Sequence, residues 1–337
     1  MPYTAPMPLV LGTLLLPLPP PSALSMGKTL CALLVALNCL SAPAHAGPRE
    51  DFDAAVAAYR RGDYATAVRL LTPLAEQGDA RAQFDVGLMY NKGQGVPQDD
   101  AKALSWYRKA AEQGHARAQT NLGFLYDHGR GVPRDYATAL SWYRKAAEQG
   151  DSGAETNLGF MYAEGHGVPQ DYATALSWYR KAAEQGSATA QFNLGLTYDQ
   201  GLGVPKDLAT ALSWYRKAAE QGYAVAEGKL GVMYYQGTGV PQDYAAALSW
   251  YRKAAEQGDA KAQFNLGLMY AQGRGVPQDN VQAHKWLSLA ASRYPGPEQK
   301  RRDEAVKLRD QIARKMTAAQ IDEAQKLARD WQPKPER

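Results

Sequence analysis

The chain has 337 residues, 45% of them hydrophobic and 21% charged, and Lys plus Arg (38) exceeds Asp plus Glu (34) by four. That is the composition of a folded soluble protein, and so mild a positive balance does not suit a nucleic-acid partner. The aromatic set favours rings with a polar tip, 20 Tyr and 7 Trp against 6 Phe, as suits thin helical layers whose rings lie close to water.

Residues 1–46 carry one charged group, Lys28, and no acid, which reads as a targeting segment. From Met26 the order is Lys28, an apolar run from Thr29 to Leu40, and then Ala44-His45-Ala46, with small residues where cleavage needs them. Cleavage after Ala46 is expected, with export to the periplasm or beyond, an uncleaved signal anchor being the alternative. Residues 1–25 add Leu14 to Leu16 followed by Pro17, Pro19, Pro20 and Pro21, which break any spanning helix, so translation starts at Met1 or at Met26. Cys31 and Cys39 both lie in this segment, so the mature chain has no thiol for a disulfide, a metal or nucleophilic attack, and no integral membrane span is expected in it.

Residues 47–78 read as a degenerate capping hairpin. Phe52, Val56 and Tyr59 share one helix face, and Tyr64, Ala67, Leu71 and Leu74 share the next, with Gly62 between. A strict period follows. Trp106, Trp142, Trp178, Trp214, Trp250 and Trp286 stand 36 residues apart, and Gly-Val-Pro recurs in step from Gly95 to Pro277. The units are 79–114, 115–150, 151–186, 187–222, 223–258 and 259–294. In the second, helix A is expected at about 116–128, with Ala118, Leu122 and Tyr126 on one face and Gly123 beside them where a close approach is required. Gly129 should end that helix in a left-handed cap, Pro133 should stop it continuing, and Asp135 should cap helix B. Helix B, about 136–149, should bury Tyr136, Ala139, Leu140, Trp142, Tyr143, Ala146 and Ala147. A single hairpin cannot cover its own apolar face, so the units must stack into an all-α solenoid. Residues 295–337 should form the C-terminal cap. One helix is expected at about 298–315, and a second starts at Thr317, whose capping box with Gln320 precedes Ile321, Ala324, Leu327 and Trp331.

The pattern Ala116-x-Ala118-Gln119-x-Asn121-Leu122-Gly123-x-x-Tyr126, then Gly129-x-Gly131-Val132-Pro133-x-Asp135, then Ala139-Leu140-x-Trp142-Tyr143-x-Lys145-Ala146-Ala147-x-x-Gly150, resembles the Sel1-like repeat family, relatives of the tetratricopeptide repeat. The likeness runs through residues 79–294, and the tail from Met316-Thr317 to Trp331 is similar to the C-terminal cap of bacterial members. The resemblance implies a right-handed superhelix with helix A on the concave side, acting as a non-catalytic adaptor between proteins of the bacterial envelope. One cysteine-rich branch of the family is linked to β-lactam binding and hydrolysis, but its paired cysteines are missing from these repeats.

Positions that differ between units separate scaffold from candidate site. On helix A they are Arg117, Thr120, Phe124, Asp127, His128 and their equivalents, opposite the Ala118, Leu122 and Tyr126 face. The candidate wall includes Arg81, Phe84 and Lys92, then Phe192 and Gln200, Lys229 and Gln236, and Lys261, Phe264 and Gln272. Mixed aromatic, amide and basic groups suit a protein or peptide partner, although drift at unconstrained surface positions produces the same variation. Asn121, Asn157, Asn193 and Asn265 form a ladder along it, able to hold an extended backbone or to set the stacking angle. Arg108-Lys109 and its copies read as a solvated basic stripe on helix B. The histidines show no zinc spacing, the Gly-x-Gly loops follow helices rather than strands, and no cofactor motif appears. Glu155 and Glu227 replace a glutamine and read as unpaired substitutions. Cell-wall or glycan contact through the Tyr and Trp rings, or a hydrolase like the cysteine-rich branch, is the competing function.

Overall fold

The computed structural model describes residues 48–334. Two compact units are distinguished, 1–53 and 54–337; of the first, only residues 48–53 are described, at the start of the opening helix. The expected targeting segment, with Met26, Lys28, both cysteines and Ala46, lies outside the described residues.

The described residues form helices joined by short loops, with no strand among them. The first hairpin is α1 (Pro48–Arg60) and α2 (Tyr64–Glu76). Six A/B pairs follow: α3 (Ala80–Lys92) and α4 (Asp100–Glu112), α5 (Ala116–His128) and α6 (Tyr136–Glu148), α7 (Ser152–Glu164) and α8 (Tyr172–Glu184), α9 (Ala188–Gln200) and α10 (Leu208–Glu220), α11 (Ala224–Gln236) and α12 (Tyr244–Gln257), α13 (Ala260–Gln272) and α14 (Asn280–Arg293). After a short 3-10 turn, α15 (Gln299–Ala313) and α16 (Ala318–Arg329) both pack on α14.

Local chemistry sets these boundaries. The Asp135 carboxylate accepts from the Thr138 N–H at 3.0 Å and so satisfies a free donor at the start of α6. Gly129, at φ +66, ends α5 in the left-handed region that a side chain would disfavour. The capping box at the head of α16 is present, with Thr317 N–H donating to Gln320 Oε1 (2.9 Å) and Gln320 N–H to Thr317 Oγ1 (3.3 Å).

Five of the six A/B pairs close on a tyrosine. Tyr143 is fully buried, and a methyl group built on Gly123 would lie 2.8 Å from its Cδ1 and Cε1, so the close approach that demands glycine is that of a ring. Leu287 takes the place of the ring in the last pair, against Gly267. Ala139, Leu140, Ala146 and Ala147 are buried as expected, but Tyr136 and Trp142 are only half-buried. Trp142 lies at the joint with the preceding unit, and Lys145 covers its ring at 4.3 Å. Trp286, by contrast, is 5% exposed, because Trp331 of the C-terminal tail packs against it edge-on at 6.3 Å.

Stacking is reinforced by polar bonds between units. Gln119 Nε2 donates to the Ala111 carbonyl of the preceding unit (3.0 Å), and Gln149 Nε2 of its own unit holds it in place by donating to Gln119 Oε1 (2.8 Å). Gln83 and Gln191 repeat both bonds. The basic stripe is also engaged rather than simply solvated. Arg108, Arg144, Arg180 and Arg252 each donate to a tyrosine hydroxyl of the next unit at 2.7–3.0 Å, while Lys109, Lys145, Lys217 and Lys253 lie over tryptophan rings. Successive A helices touch directly where α5 meets α7 and α11 meets α13.

Candidate functional site

The row of A helices presents its variable residues in three registers. In the first turn Arg81, Arg117 and Lys261 are exposed, and in the last turn Lys92, His128, Gln200, Gln236 and Gln272 are exposed. Between them Phe124 is half-buried and stacks on His128 at 4.0 Å.

The register that begins with Phe84 behaves differently. Phe84 is 4% exposed and is not part of an open wall: it stacks on His115 of the next unit at 4.7 Å and packs on Tyr107 at 5.8 Å. Its counterparts also bridge units, because this turn of helix A faces the residue that caps the next A helix. Thr120 Oγ1 donates to Asp151 Oδ1 (2.9 Å), Thr156 lies 3.2 Å from Ser187 Oγ, and the Phe192 ring lies 5.6 Å from that of Tyr223. Phe264 meets Tyr294 at 6.5 Å. Asp127 is likewise buried, 7% exposed, rather than on the surface.

In the fifth unit this register holds Gly228, and the joint is left open. A cavity of about 190 Å³ occupies the gap, lined among others by Phe192, Val225, Lys229, Val232, Asp259, Lys261 and Asn265. It brings together Phe192, Lys229, Lys261 and Asn265 from three successive A helices. Lys261 and Asn265 also border a second hollow of about 260 Å³, with Phe264, Tyr294, Arg301 and Glu304. Arg81, Phe84 and Lys92 are on α3 and line neither.

Charge in the gap is largely matched. Lys229 Nζ lies 2.6 Å from Asp199 Oδ2, and Lys261 Nζ lies 3.5 Å from Glu298 Oε1. Asp259 accepts from the Ala262 N–H at 2.6 Å as the cap of α13, and burial pushes its carboxyl above the usual range. The asparagines of the ladder are half-buried, and among the described residues Asn157, Asn193 and Asn265 make no side-chain hydrogen bond to a neighbouring repeat. The glutamines carry that link instead.

Two wall residues are reached from the sequence only as equivalents of Phe124 and Arg117 and are not singled out there. Phe160 and Val225 are 42% and 46% exposed, large apolar side chains facing water on A helices. Comparison of the units holds the signal for both, since Phe160 is the counterpart of Phe124, and Val225 stands where Arg81, Arg117 and Lys261 are charged.

Histidines serve the fold. His115 Nδ1 accepts from the Ala118 N–H at 3.2 Å, and burial lowers its pKa; His166 stacks on Tyr136 at 4.4 Å; His284 is 4% exposed. Among the described residues no group of three His, Cys, Asp or Glu is placed to hold a metal, and no helix is long and apolar enough to cross a membrane. Glu155 is fully buried and paired, with Lys181 Nζ 2.8 Å from its Oε1, so it is not an unpaired substitution.

The Sel1 repeat family model matches six times in tandem, over residues 80–115, 116–151, 152–187, 188–223, 224–259 and 260–294. Among solved structures, a Sel1 repeat protein from Oxalobacter formigenes is 38% identical, covering 71% of this chain and 96% of its own, with a TM-score of 0.64. The protein c5321, a protective antigen present in uropathogenic Escherichia coli strains displaying an SLR fold, is 32% identical over 84% of this chain and 76% of its own, with a TM-score of 0.53. A comparison with curated proteins found no match. Sel1 repeat proteins are in general scaffolds for protein interaction and typically non-catalytic. With six tandem matches and an all-α solenoid built from them, this chain belongs to the Sel1 repeat family.

Proposed function

We propose that the chain is a non-catalytic adaptor of the cell envelope that holds a segment of a protein partner against its A helices, with an apolar side chain of that segment seated over Gly228. The observation that carries this reading is the open joint. Phenylalanine or threonine fills the register in every other unit, and its loss leaves Phe192, Val225 and Val232 facing a gap rimmed by charged and amide groups. An apolar floor with a polar rim is the anatomy of a peptide-binding surface. Val225, exposed on the same row of A helices, lines the gap as well. The Trp rings suit a glycan less well, since lysines cover one face of each repeat tryptophan.

Gly228→Phe tests the proposal, because phenylalanine already occupies the register at 84, 192 and 264. The variant should fold and should lose the partner that the parent chain captures from envelope extract, as read by quantitative mass spectrometry. Equal capture by both chains would refute the site. Export follows from the same reading of residues 1–46: the mature protein should begin at Gly47 and fractionate outside the cytoplasm, and N-terminal sequencing that finds Met26 or Met1 would reject it.

A further inference from the structure

The glutamine ladder is broken twice, and the two breaks are handled differently. Gln83, Gln119, Gln191 and Gln263 each donate Nε2 to an alanine carbonyl of the preceding B helix, at 3.0–3.2 Å. Glu155 and Glu227 stand at the same place and have no such donor. In the third unit Lys181 compensates, with Nζ 2.8 Å from Glu155 Oε1 and 3.5 Å from the Ala147 carbonyl that lost its amide. In the fifth unit the equivalent Lys253 lies instead over the Trp250 ring at 4.1 Å. Glu227 is 3% exposed, its Oε2 accepts from Gln257 Nε2 at 2.9 Å, and among the described residues neither an ion pair nor a bond to Oε1 completes it.

That carboxyl lines a cavity of about 360 Å³, separate from the gap over Gly228. Glu220, Glu256 and Trp250 line it too, and the last turns of α10 and α12 bring their carbonyl ends to it. Carboxylates and helix C-termini favour positive charge, and the Trp250 ring already carries Lys253 on one face. Two cations already border the cavity against three carboxylates: Lys253, held over the Trp250 ring, and Lys334 from the C-terminal tail, whose Nζ is 2.6 Å from Glu256 Oε2 and whose backbone N–H donates to the Glu256 carbonyl at 2.8 Å. Lys334 is 69% exposed, and such a surface pair is held weakly.

We propose that this cavity receives a cationic side chain, the ammonium of a lysine or the guanidinium of an arginine in a partner segment, and that Lys334 is a resident stand-in which that side chain displaces. Glu227 supplies the buried carboxylate at the floor, Glu256 the carboxylate at the rim, and Trp250 the wall. Burial raises the pKa of Glu227 and the nearby charge of Lys253 only partly offsets it, so an entering ammonium gains a charged partner and favours the ionised carboxylate. In the ladder's terms the cation does for Glu227 what Lys181 does for Glu155.

The test uses the full mature chain and three probes, Nα-acetyl-lysinamide, Nα-acetyl-argininamide and uncharged Nα-acetyl-norleucinamide, titrated by NMR. Lys334→Ala should bind a cationic probe roughly threefold more tightly than the parent, since the internal competitor is gone. Adding Glu227→Gln should then weaken binding roughly tenfold, because a buried charge-assisted bond is lost. Glutamine stands at this position in four other units, so that variant should fold and melt no lower than the parent. Norleucinamide should not saturate the site. Unchanged affinity in Lys334→Ala, equal binding after Glu227→Gln, or equal uptake of the uncharged probe would each overturn the proposal.

Discussion

Two glycines three residues apart on α11 should respond in opposite directions to the same substitution. Inside a helix, alanine is favoured over glycine by about 1 kcal/mol, a gain common to both positions. At Gly228 the new methyl would meet Asp259 Oδ1 at 3.9 Å and Ala254 Cβ at 4.0 Å, ordinary contact distances. Gly228→Ala is therefore expected to stabilise the chain by about 0.5–1 kcal/mol. At Gly231 the methyl would lie 2.5 Å from Tyr251 Cδ1 and 2.6 Å from Cε1, and Tyr251 is 3% exposed, with little room for its ring to swing away. Overpacking of this kind costs about 1–3 kcal/mol, and with contacts as short as these the upper part of that range applies, so after the helix gain Gly231→Ala should be net destabilising by up to about 2 kcal/mol. Because stacked repeats open in units rather than all at once, amide hydrogen exchange along α11 is the primary assay, with urea midpoints beside it. Shifts of the same sign at both glycines would refute the reasoning, since the tyrosine ring would then not be what holds Gly231 as glycine.

Asp85, pushed up to about 6 by burial, should make the chain lose stability as pH rises. An acid whose pKa is higher folded than unfolded binds its proton more tightly in the native state, so the penalty is absent below its ordinary value near 3.8 and complete above about 6. The ceiling for that shift is about 3 kcal/mol, reduced here to about 1–2 kcal/mol because the side chain keeps some contact with water. Asp85→Asn, the residue found at the equivalent place in four units, should therefore melt higher than the parent at pH 7 and equally at pH 4. A pH-independent difference would contradict this. Lys181→Met should destabilise by about 1–3 kcal/mol by leaving the buried Glu155 carboxylate unpaired, and adding Glu155→Gln should restore most of the loss. If the double variant is no more stable than the single one in urea titration, the pairing of Lys181 with Glu155 is not what the site depends on.

The sequence by itself determined the elements and their order. Caps such as Asp135, stops such as Gly129 and Pro133, and the spacing of the tryptophans all act within a few residues or through strict repetition, so the hairpins, the solenoid and the C-terminal capping box were legible without coordinates. The exposed ends of the wall, from Lys92 to Gln272, followed from the same helical period. The tertiary structure decided what happens between units. Phe84 and Gly228 share a register, yet one is sealed against His115 and the other leaves a cavity. Glu155 and Glu227 share another, yet only the first is ion-paired with a lysine, while the second lines a cavity shared with Lys253 and with Lys334 of the tail. Arg108 finds its tyrosine 18 residues away, on the next hairpin. Periodicity assigns a side chain to a face of its own helix, but burial and charge are settled by the atoms that packing brings opposite it, and those come from the partner helix of the same hairpin or from the neighbouring unit.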